Sequence, residues 1–201
     1  QARTRANLQA IWDTTVDHMG AARFALGGGK DLLLSVGDTP SCSSAESLAG
    51  VDEVRPGNFV FFDLMQLEIG SCSEYQLAAA VACPVVGVYP ERSCIVVHGG
   101  AVHLSKDSLT GLDDQAVFGK LGDLSILPGG ATTLGRVMPD APVVALSQEH
   151  GTYSNPPDRF SLICGVLEIG DLVLIWPVHS CLACDNYTQY HTLDGEVLPR
   201  R

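Results

Sequence analysis

The sequence predicts a mainly β fold, a barrel-like β domain that is preceded by the last helix–strand unit of a β/α (TIM) barrel. Over residues 6–26, apolar side chains recur at mostly three- or four-residue spacing, which is typical of an amphipathic helix, and one short continuous apolar run follows. From residue 51 onward, apolar stretches of about five to eight residues alternate with Gly, Pro, Asp and Asn, as expected of successive strands and turns. One helix followed by one buried strand resembles the end of a β/α barrel, and we predict that a strand-rich domain fills most of the remaining chain.

The first elements follow from local patterns. The helix is indicated by the apolar residues Leu8, Ile11, Trp12, Val16, Met19 and Phe24, and three glycines at 27–29 end it. The run DLLLSVG at 31–37 predicts a strand that is buried on both faces and opens into a loop. A second short helix is predicted at SSAESLAGV, residues 43–51.

Two segments of the β domain share a pattern. RPGNFVFFD at 55–63 and EIGDLVLIW at 168–176 each place a Gly-Asn or Gly-Asp turn before a hydrophobic stretch. We predict that they form corresponding strands of the barrel. Between them, SCSEYQLAAA at 71–80 predicts a short helical turn.

Composition and charge limit the classes of partner. The chain has 201 residues, 46% hydrophobic composition and a formal net charge of -11. These values favour a folded core and argue against nucleic acid and anionic lipid as partners. No apolar run reaches the roughly 18 residues that a membrane-spanning helix needs. We expect a cytoplasmic protein that acts on a small molecule, and, because the chain begins without Met, we expect it to be a fragment.

The strongest local signal is His179-Ser180-Cys181, directly after the apolar run LVLIW and a proline. In an extended segment, residues two apart project to the same face, so an imidazole nitrogen and a thiolate could share one ion. Zinc accepts both ligand types, and a site with few protein ligands leaves positions open for water and substrate. The pattern predicts a zinc site at His179 and Cys181, although a strand-capping histidine beside a buried cysteine would give the same short sequence.

The cysteines indicate a reducing environment. They number seven, an odd count, and several lie inside apolar runs, as Cys83 and Cys164 do, which predicts buried thiols and no disulfide framework. Cys181 and Cys184 also spell CxxC, which would suit a thiol-redox protein. No second CxxC and no βαβ pattern accompany this pair, so we expect Cys184 to be structural.

Two further groups of residues could carry chemistry. Gly37, Asp38 and Thr39 follow a predicted buried strand, where barrels commonly build phosphate sites from backbone amides and hydroxyls. His98, His103 and His150 lie near predicted strand ends, and each could be a base or a ligand or a solvated imidazole. Of the three histidines, His150 is the candidate we select as a catalytic base.

Five segments in this order resemble the D-serine dehydratase and D-threonine aldolase group, which has an alanine-racemase-like fold. They are SVGDTPSCS, VRPGNFVFFDLMQLEIGSCS, VVHGGAVHLSKD, LSQEHG and PVHSCLACD, and the resemblance covers residues 30–195. It implies a β/α barrel that holds pyridoxal phosphate and a β domain that supplies the metal ligands. By this resemblance, residues 1–48 would be the C-terminal end of the barrel and residues 49–201 the β domain. By position in these motifs it implies that His179 and Cys181 bind zinc and that Gly37, Asp38 and Thr39 contact the cofactor phosphate.

The resemblance also implies an activity and a homodimer. The complete protein would dehydrate D-serine or a related 3-hydroxy-D-amino acid to a 2-oxo acid and ammonia. Retro-aldol cleavage is the alternative, but the aldolase branch usually has Asp where Cys181 stands. The family's Schiff-base lysine has no counterpart here, since Lys30, Lys106 and Lys120 lie in predicted loops or turns. A non-catalytic metal-binding or interaction module therefore stays a second candidate for the chain alone.

Overall fold

The computed structural model describes residues 5–27, 31–126, 132–154 and 167–200. Two compact units divide the chain, Gln1–Ala78 and Ala79–Arg201. The predicted limits 1–48 and 49–201 refer to domains of the complete protein and stay a prediction. The sequence predicts that Cys164 is buried and that Lys30 lies in a loop or turn. Both residues lie outside the part of the chain that the structure describes.

The first unit begins with the predicted helix. Helix α1 spans Arg5–Ala25 and buries Leu8 and Trp12, and the chain leaves it at Gly27 with a positive φ of 67°. Strand β1, Ser35–Gly37, pairs in parallel with β2, Glu53–Arg55. The strand predicted at 31–37 is shorter in the structure, because the partner strand β2 has only three residues that can pair with it. The predicted burial on both faces is also wrong for this segment, since the Leu33 side chain is exposed.

The second predicted helix is displaced. Asp38 is the N-cap of α2, Thr39–Ser44, and its Oδ1 accepts a hydrogen bond from the Ser41 N–H at 2.6 Å. The prediction of a helix at 43–51 and of a loop at 38–40 is wrong, because this cap starts the helix directly after β1. The chain has already left the helix at Ala45, which has extended dihedral angles.

The predicted strand at 55–63 is also wrong. The Asn58 carbonyl accepts from the N–H groups of Phe61 and Phe62, which closes a turn. Asn58 Nδ2 donates to Asp63 Oδ2 at 2.6 Å, and Asp63 Oδ1 accepts from the Gln66 N–H at 2.9 Å and so caps α3, Leu64–Ile69. The hydrogen bonds of Asn58 and Asp63 to each other and to the start of α3 therefore stabilise a turn in a segment whose apolar residues predicted a strand. A short 3-10 helix at Glu74–Gln76 confirms the predicted turn.

The second unit is built on a closed antiparallel barrel, which confirms the predicted barrel-like β fold for this part of the chain. The strands are β3 Val81–Tyr89, β4 Cys94–His98, β7 Gly119–Ile126, β8 Thr132–Leu146, β9 His150–Ser154 and β10 Leu172–Pro177. Their order around the barrel is β10-β3-β4-β9-β8-β7. Strand β10 is the predicted strand within 168–176. The barrel core includes Cys83, Val85, Ile95, Val97, Leu121, Val143, Tyr153 and Ile175.

Short elements complete this unit. Helix α4 spans Ala101–Leu104 and α5 spans Ser180–Asp185. Two-stranded ribbons pair β5 Leu109–Thr110 with β6 Ala116–Val117, and β11 Gln189–His191 with β12 Val197–Pro199; 3-10 turns lie at Pro90–Arg92 and Leu112–Asp114. Lys120 lies in β7 opposite Trp176, so its predicted loop position is wrong. Among the helices of the described ranges, none is both long and apolar enough to cross a bilayer.

The strand register brings several chain ends together at one end of the barrel. His98 at the end of β4 pairs with His150 at the start of β9, and Pro177 at the end of β10 pairs with Gly119 at the start of β7. Helix α4 follows β4 and α5 follows β10, and the two helices pack against each other. We call this the helical end of the barrel.

Candidate metal centre at the helical end of the barrel

His179 occupies the junction between β10 and α5. The strand buries Val173, Leu174, Ile175 and Trp176, and Val178 after it is fully buried. His179 has extended dihedral angles, φ -128° and ψ 105°, and is the N-cap of α5, whose Ser180 and Ala183 face inward. The chain on both sides of His179 is thus anchored in the core, while 31% of the His179 side chain is accessible.

The His179 ring is held by Asp107. The imidazole Nδ1 lies 2.7 Å from Asp107 Oδ2, a contact that joins residues 72 positions apart in the sequence. Because a carboxylate can only accept, Nδ1 carries a proton in this hydrogen bond, and in the neutral ring Nε2 is then the nitrogen with a lone pair. Nε2 lies on the opposite edge of the ring and is the atom that can bind a metal.

Cys181 does not lie where the sequence argument places it. It is the second residue of α5 and is exposed, and the Ala183 N–H already donates to the His179 carbonyl at 3.1 Å. The expectation of one extended segment is wrong, because the chain begins a helical turn at His179. Both donors nevertheless stay within one turn of chain at the helical end. In the described part of the chain, no group of three or more His, Cys, Asp or Glu residues could hold a metal ion.

The donor chemistry fits zinc. An imidazole whose Nδ1 contacts a carboxylate, together with an accessible thiol two residues later, matches the ligand types and the supporting contact of zinc sites. With two protein ligands, the remaining positions would be open to water and substrate. Zinc binding by His179 and Cys181 stays a prediction, now with a defined donor atom on the histidine.

The three histidines named from the sequence lie together at the same end. The His98 ring centroid is 4.8 Å from that of His103 and 5.9 Å from that of His150, and His98 Nε2 is 4.0 Å from Glu149 Oε2. His98 and His150 are exposed, and His103 is half-buried. His150 is therefore accessible to a small molecule, as a catalytic acid or base must be, and its catalytic role stays a prediction.

The position of His103 is fixed by the start of α4. Its Nδ1 accepts a hydrogen bond from the Gly100 N–H at 3.2 Å, which makes Nε2 the protonated nitrogen of the neutral ring. Burial lowers the pKa of His103, the nearby His98 lowers it further, and Glu149 partly opposes them. This cap and the partial burial both favour a neutral His103.

Close backbone packing joins α4 to the β8–β9 turn. The N–H groups of Ala101 and Val102 donate to the carbonyls of Ser147 and Gln148 at 2.9 and 3.1 Å. A Cβ on Gly100 would lie 2.4 Å from the His150 backbone nitrogen, so this position requires glycine. The helical end is consequently one packed assembly of α4, α5 and this turn.

The predicted phosphate contacts lie in the first unit. Asp38 uses its carboxylate to cap α2, and Thr39 is buried, with its Oγ1 accepting from the Asn58 N–H at 3.1 Å. A Cβ on Gly37 would contact the Arg55 guanidinium at 3.4 Å. The glycine backbone beside a cation suits a phosphate, whereas the Asp38 carboxylate does not. Contact of Gly37, Asp38 and Thr39 with a cofactor stays a prediction.

Sequence reasoning missed Asp107 and Arg55. Asp107 follows α4 in a loop, and no local pattern relates it to a histidine 72 positions later. Arg55 lies beside Gly37 only because β1 and β2 pair in parallel. Both contacts are long-range consequences of the fold.

Comparison with known proteins identifies the family. The model of the serine dehydratase domain matches residues 78–193, more than half of the chain, and the chain belongs to this family of the alanine-racemase-like enzymes. D-serine dehydratase from Dictyostelium discoideum is 34% identical over 168 residues, which are 81% of this chain and 40% of that protein. D-threo-3-hydroxyaspartate dehydratase from Delftia sp. is 32% identical over 82% of this chain and 42% of that protein.

Solved structures agree with this assignment. D-threo-3-hydroxyaspartate dehydratase from Delftia sp. HT23 superposes with a TM-score of 0.79 and 29% identity, over 98% of this chain and 52% of that one. D-threonine aldolase from Filomicrobium marinum shares the fold alone, with a TM-score of 0.59 and 17% identity, over 97% of this chain and 47% of that one. The chain spans about half the length of the relatives it matches.

Two further solved structures that resemble this chain are of variants of D-threo-3-hydroxyaspartate dehydratase. One structure is of a cysteine-to-alanine mutant in the metal-free form, and another is of a mutant in which the histidine two positions before that cysteine is replaced by alanine. His179 and Cys181 have the same residue types at the same spacing.

Proposed function

We propose that the complete protein is a pyridoxal-phosphate- and zinc-dependent lyase that dehydrates D-serine or a related 3-hydroxy-D-amino acid. Family membership supports the reaction class, and two of its similar relatives are a D-serine dehydratase and a D-threo-3-hydroxyaspartate dehydratase. The observation that carries the proposal is His179, held by Asp107 with Nε2 available, two residues before an accessible Cys181. The first unit contributes the end of the β/α barrel in this proposal.

The reaction removes the α-proton and the β-hydroxyl group of the substrate as water. The resulting enamine takes up water and gives a 2-oxo acid and ammonia. Pyridoxal phosphate, when bound, supplies an electron sink for the charge at the α-carbon. Zinc, when bound, supplies a Lewis acid for the hydroxyl that leaves.

The chain's own residues would orient these groups. His179 Nε2 and the Cys181 thiolate would hold the zinc, and Asp107 fixes the proton on Nδ1. His150 and its neighbours His98 and His103 form an accessible group of imidazoles at the same end of the barrel. Among these, His150 is the candidate that would accept or return a proton. In the first unit, the Gly37 backbone is the candidate contact for the cofactor phosphate.

Turnover of the complete protein tests the proposal. D-serine should yield pyruvate and ammonia, chelation should abolish the reaction, and added zinc should restore it. Replacement of His179 by Ala should remove most of the activity, because the metal would lose its nitrogen ligand. Full activity after chelation, or in the H179A variant, would overturn the metal role. Formation of glycine and acetaldehyde from D-threonine, without pyruvate from D-serine, would instead support retro-aldol cleavage as the reaction of the complete protein.

A further inference from the structure

The contact between Asp107 and His179 involves Nδ1, the ring nitrogen opposite to Nε2, which is the atom proposed to bind zinc. Asp107 Oδ2 and His179 Nδ1 are 2.7 Å apart, a short distance for an N–H···O bond to a carboxylate. The Asp107 side chain is 38% accessible and that of His179 is 31% accessible, so the contact lies at the edge of the barrel end and not in the core. A contact in this place adds little to the packing of the domain and acts mainly on the orientation of the ring.

The backbone before Asp107 adopts a strained conformation at Ser105. Ser105, two residues earlier, ends α4 with φ 70° and ψ -179°, a region that essentially only glycine populates. Its Oγ accepts a hydrogen bond from the Asp107 N–H at 3.3 Å. A non-glycine residue persists in this conformation only where its surroundings determine it, and such residues cluster at functional sites.

Both ends of the contact are fixed by packed elements. The α4 side is held by the β8–β9 turn through the Ala101 and Val102 N–H groups, and His179 is held between β10 and α5. Helices α4 and α5 pack against each other. The carboxylate and the imidazole therefore meet in a geometry that the barrel end imposes.

From these observations we propose that Asp107 is a positioning residue of the metal centre, which fixes the tautomer of His179 and aims Nε2 at the zinc. The inference rests on the proposed function, since it requires His179 to be a zinc ligand. Asp107 acts through the histidine, because its Oδ2 contacts Nδ1, on the ring edge opposite to Nε2. Loss of such a supporting carboxylate lowers metal affinity by about 10- to 100-fold.

Metal binding by the complete protein tests this role apart from activity. The metal-free protein would be titrated with Zn²⁺ against a chromophoric chelator, and with Co²⁺, whose absorption reports nitrogen and thiolate ligation. The D107A variant should bind Zn²⁺ about 10- to 100-fold more weakly and give an altered Co²⁺ spectrum. D107N should lose less affinity and keep a Co²⁺ spectrum close to that of the wild type, because an amide oxygen can still accept from Nδ1–H.

The control is E91Q. Glu91 is an exposed carboxylate in the turn between β3 and β4, at the opposite end of the barrel, and contacts Arg92 at 3.8 Å. E91Q removes the same charge and should leave both titrations unchanged. Wild-type Zn²⁺ affinity and an unchanged Co²⁺ spectrum in D107A would overturn the inference. If D107A does not fold, D107N decides, with a several-fold loss supporting the role and wild-type affinity overturning it.

The two proposals fail differently. Wild-type Zn²⁺ affinity in H179A would overturn the metal site itself and with it the proposed function. Weak binding in H179A together with unchanged binding in D107A would leave the proposed function in place and overturn only the role of Asp107.

Discussion

At the scale of single residues, His103 combines two contacts that keep its ring neutral. Its Nδ1 accepts from the Gly100 N–H and so helps to begin α4, which a protonated ring could not do. Burial and the neighbouring His98 lower its pKa below the ordinary value of 6.5. Folding and protonation of His103 are therefore linked.

Stability should fall in acid for this reason. Below pH 6.5 the unfolded chain takes up a proton that the folded His103 resists, so stability decreases as the pH falls from 6.5 and levels off below the lowered pKa. Well above pH 6.5 the ring is neutral in both the folded and the unfolded chain, so His103 no longer lowers the stability. The H103Q variant keeps an acceptor for the Gly100 N–H but cannot titrate. Urea unfolding between pH 7.5 and pH 5 should show a smaller loss of stability in H103Q than in the wild type, and equal losses would contradict the linkage.

At the scale of elements, the contact between α4 and the β8–β9 turn requires a residue without a side chain at position 100, which is Gly100. A Cβ on Gly100 would lie 2.4 Å from the His150 nitrogen and 2.5 Å from the Glu149 carbonyl carbon. These are backbone atoms of a turn whose carbonyls also bind the start of α4, so they cannot move independently. Overpacking of this kind typically costs about 1–3 kcal/mol.

The G100A variant should accordingly lower the free energy of unfolding by about 1–3 kcal/mol in urea denaturation. G20A is the matched control, because Gly20 lies inside α1 and an added Cβ would meet nothing within 4 Å. Since Ala favours a helix over Gly by about 1 kcal/mol, G20A should be neutral or stabilising. A stability loss in G20A as large as that in G100A would show that close packing at Gly100 is not the cause.

Sequence patterns identified elements whose pattern is long or strongly apolar, and failed where a polar residue determines a short one. The period of α1 and the apolar run of β10 each predicted the element within a few residues. Asn58 and Asp63 close a turn in a segment that reads as a strand, because their hydrogen bonds outweigh its apolar side chains. Helix α5, of six residues, is too short to show a period, so the HSC motif appeared extended.

At the scale of the whole molecule, the candidate site depends on contacts that no local pattern contains. The type and spacing of His179 and Cys181 were visible in the sequence, and so were three histidines near strand ends. The Asp107 contact exists only because the barrel closes and brings α4 beside α5. His98 and His150 are likewise adjacent through pairing of β4 with β9. Donor identity was thus predictable, whereas donor orientation required the fold.

Barrel closure also determines which thiols can react. Cys83 points into the barrel core, is 1% exposed, and burial raises its pKa to about 12. At pH 8 its thiolate fraction is therefore on the order of a thousandth of that of an ordinary cysteine, and a reagent must wait for the barrel to open. Cys181 on α5 is exposed and should react in the folded state.

Alkylation followed by mass spectrometry should separate the two cysteines. In the complete native protein, Cys181 should be labelled rapidly at pH 8, whereas Cys83 should be labelled only at the rate of unfolding, rising steeply with urea. Saturating zinc should protect Cys181 if the thiolate is a ligand. Zinc should also slow Cys83 labelling, because a ligand that binds only the folded state stabilises it by about 2.7 kcal/mol at 100 times its dissociation constant. Labelling of Cys83 in the native protein as fast as that of Cys181 would contradict a closed barrel with this thiol in its core.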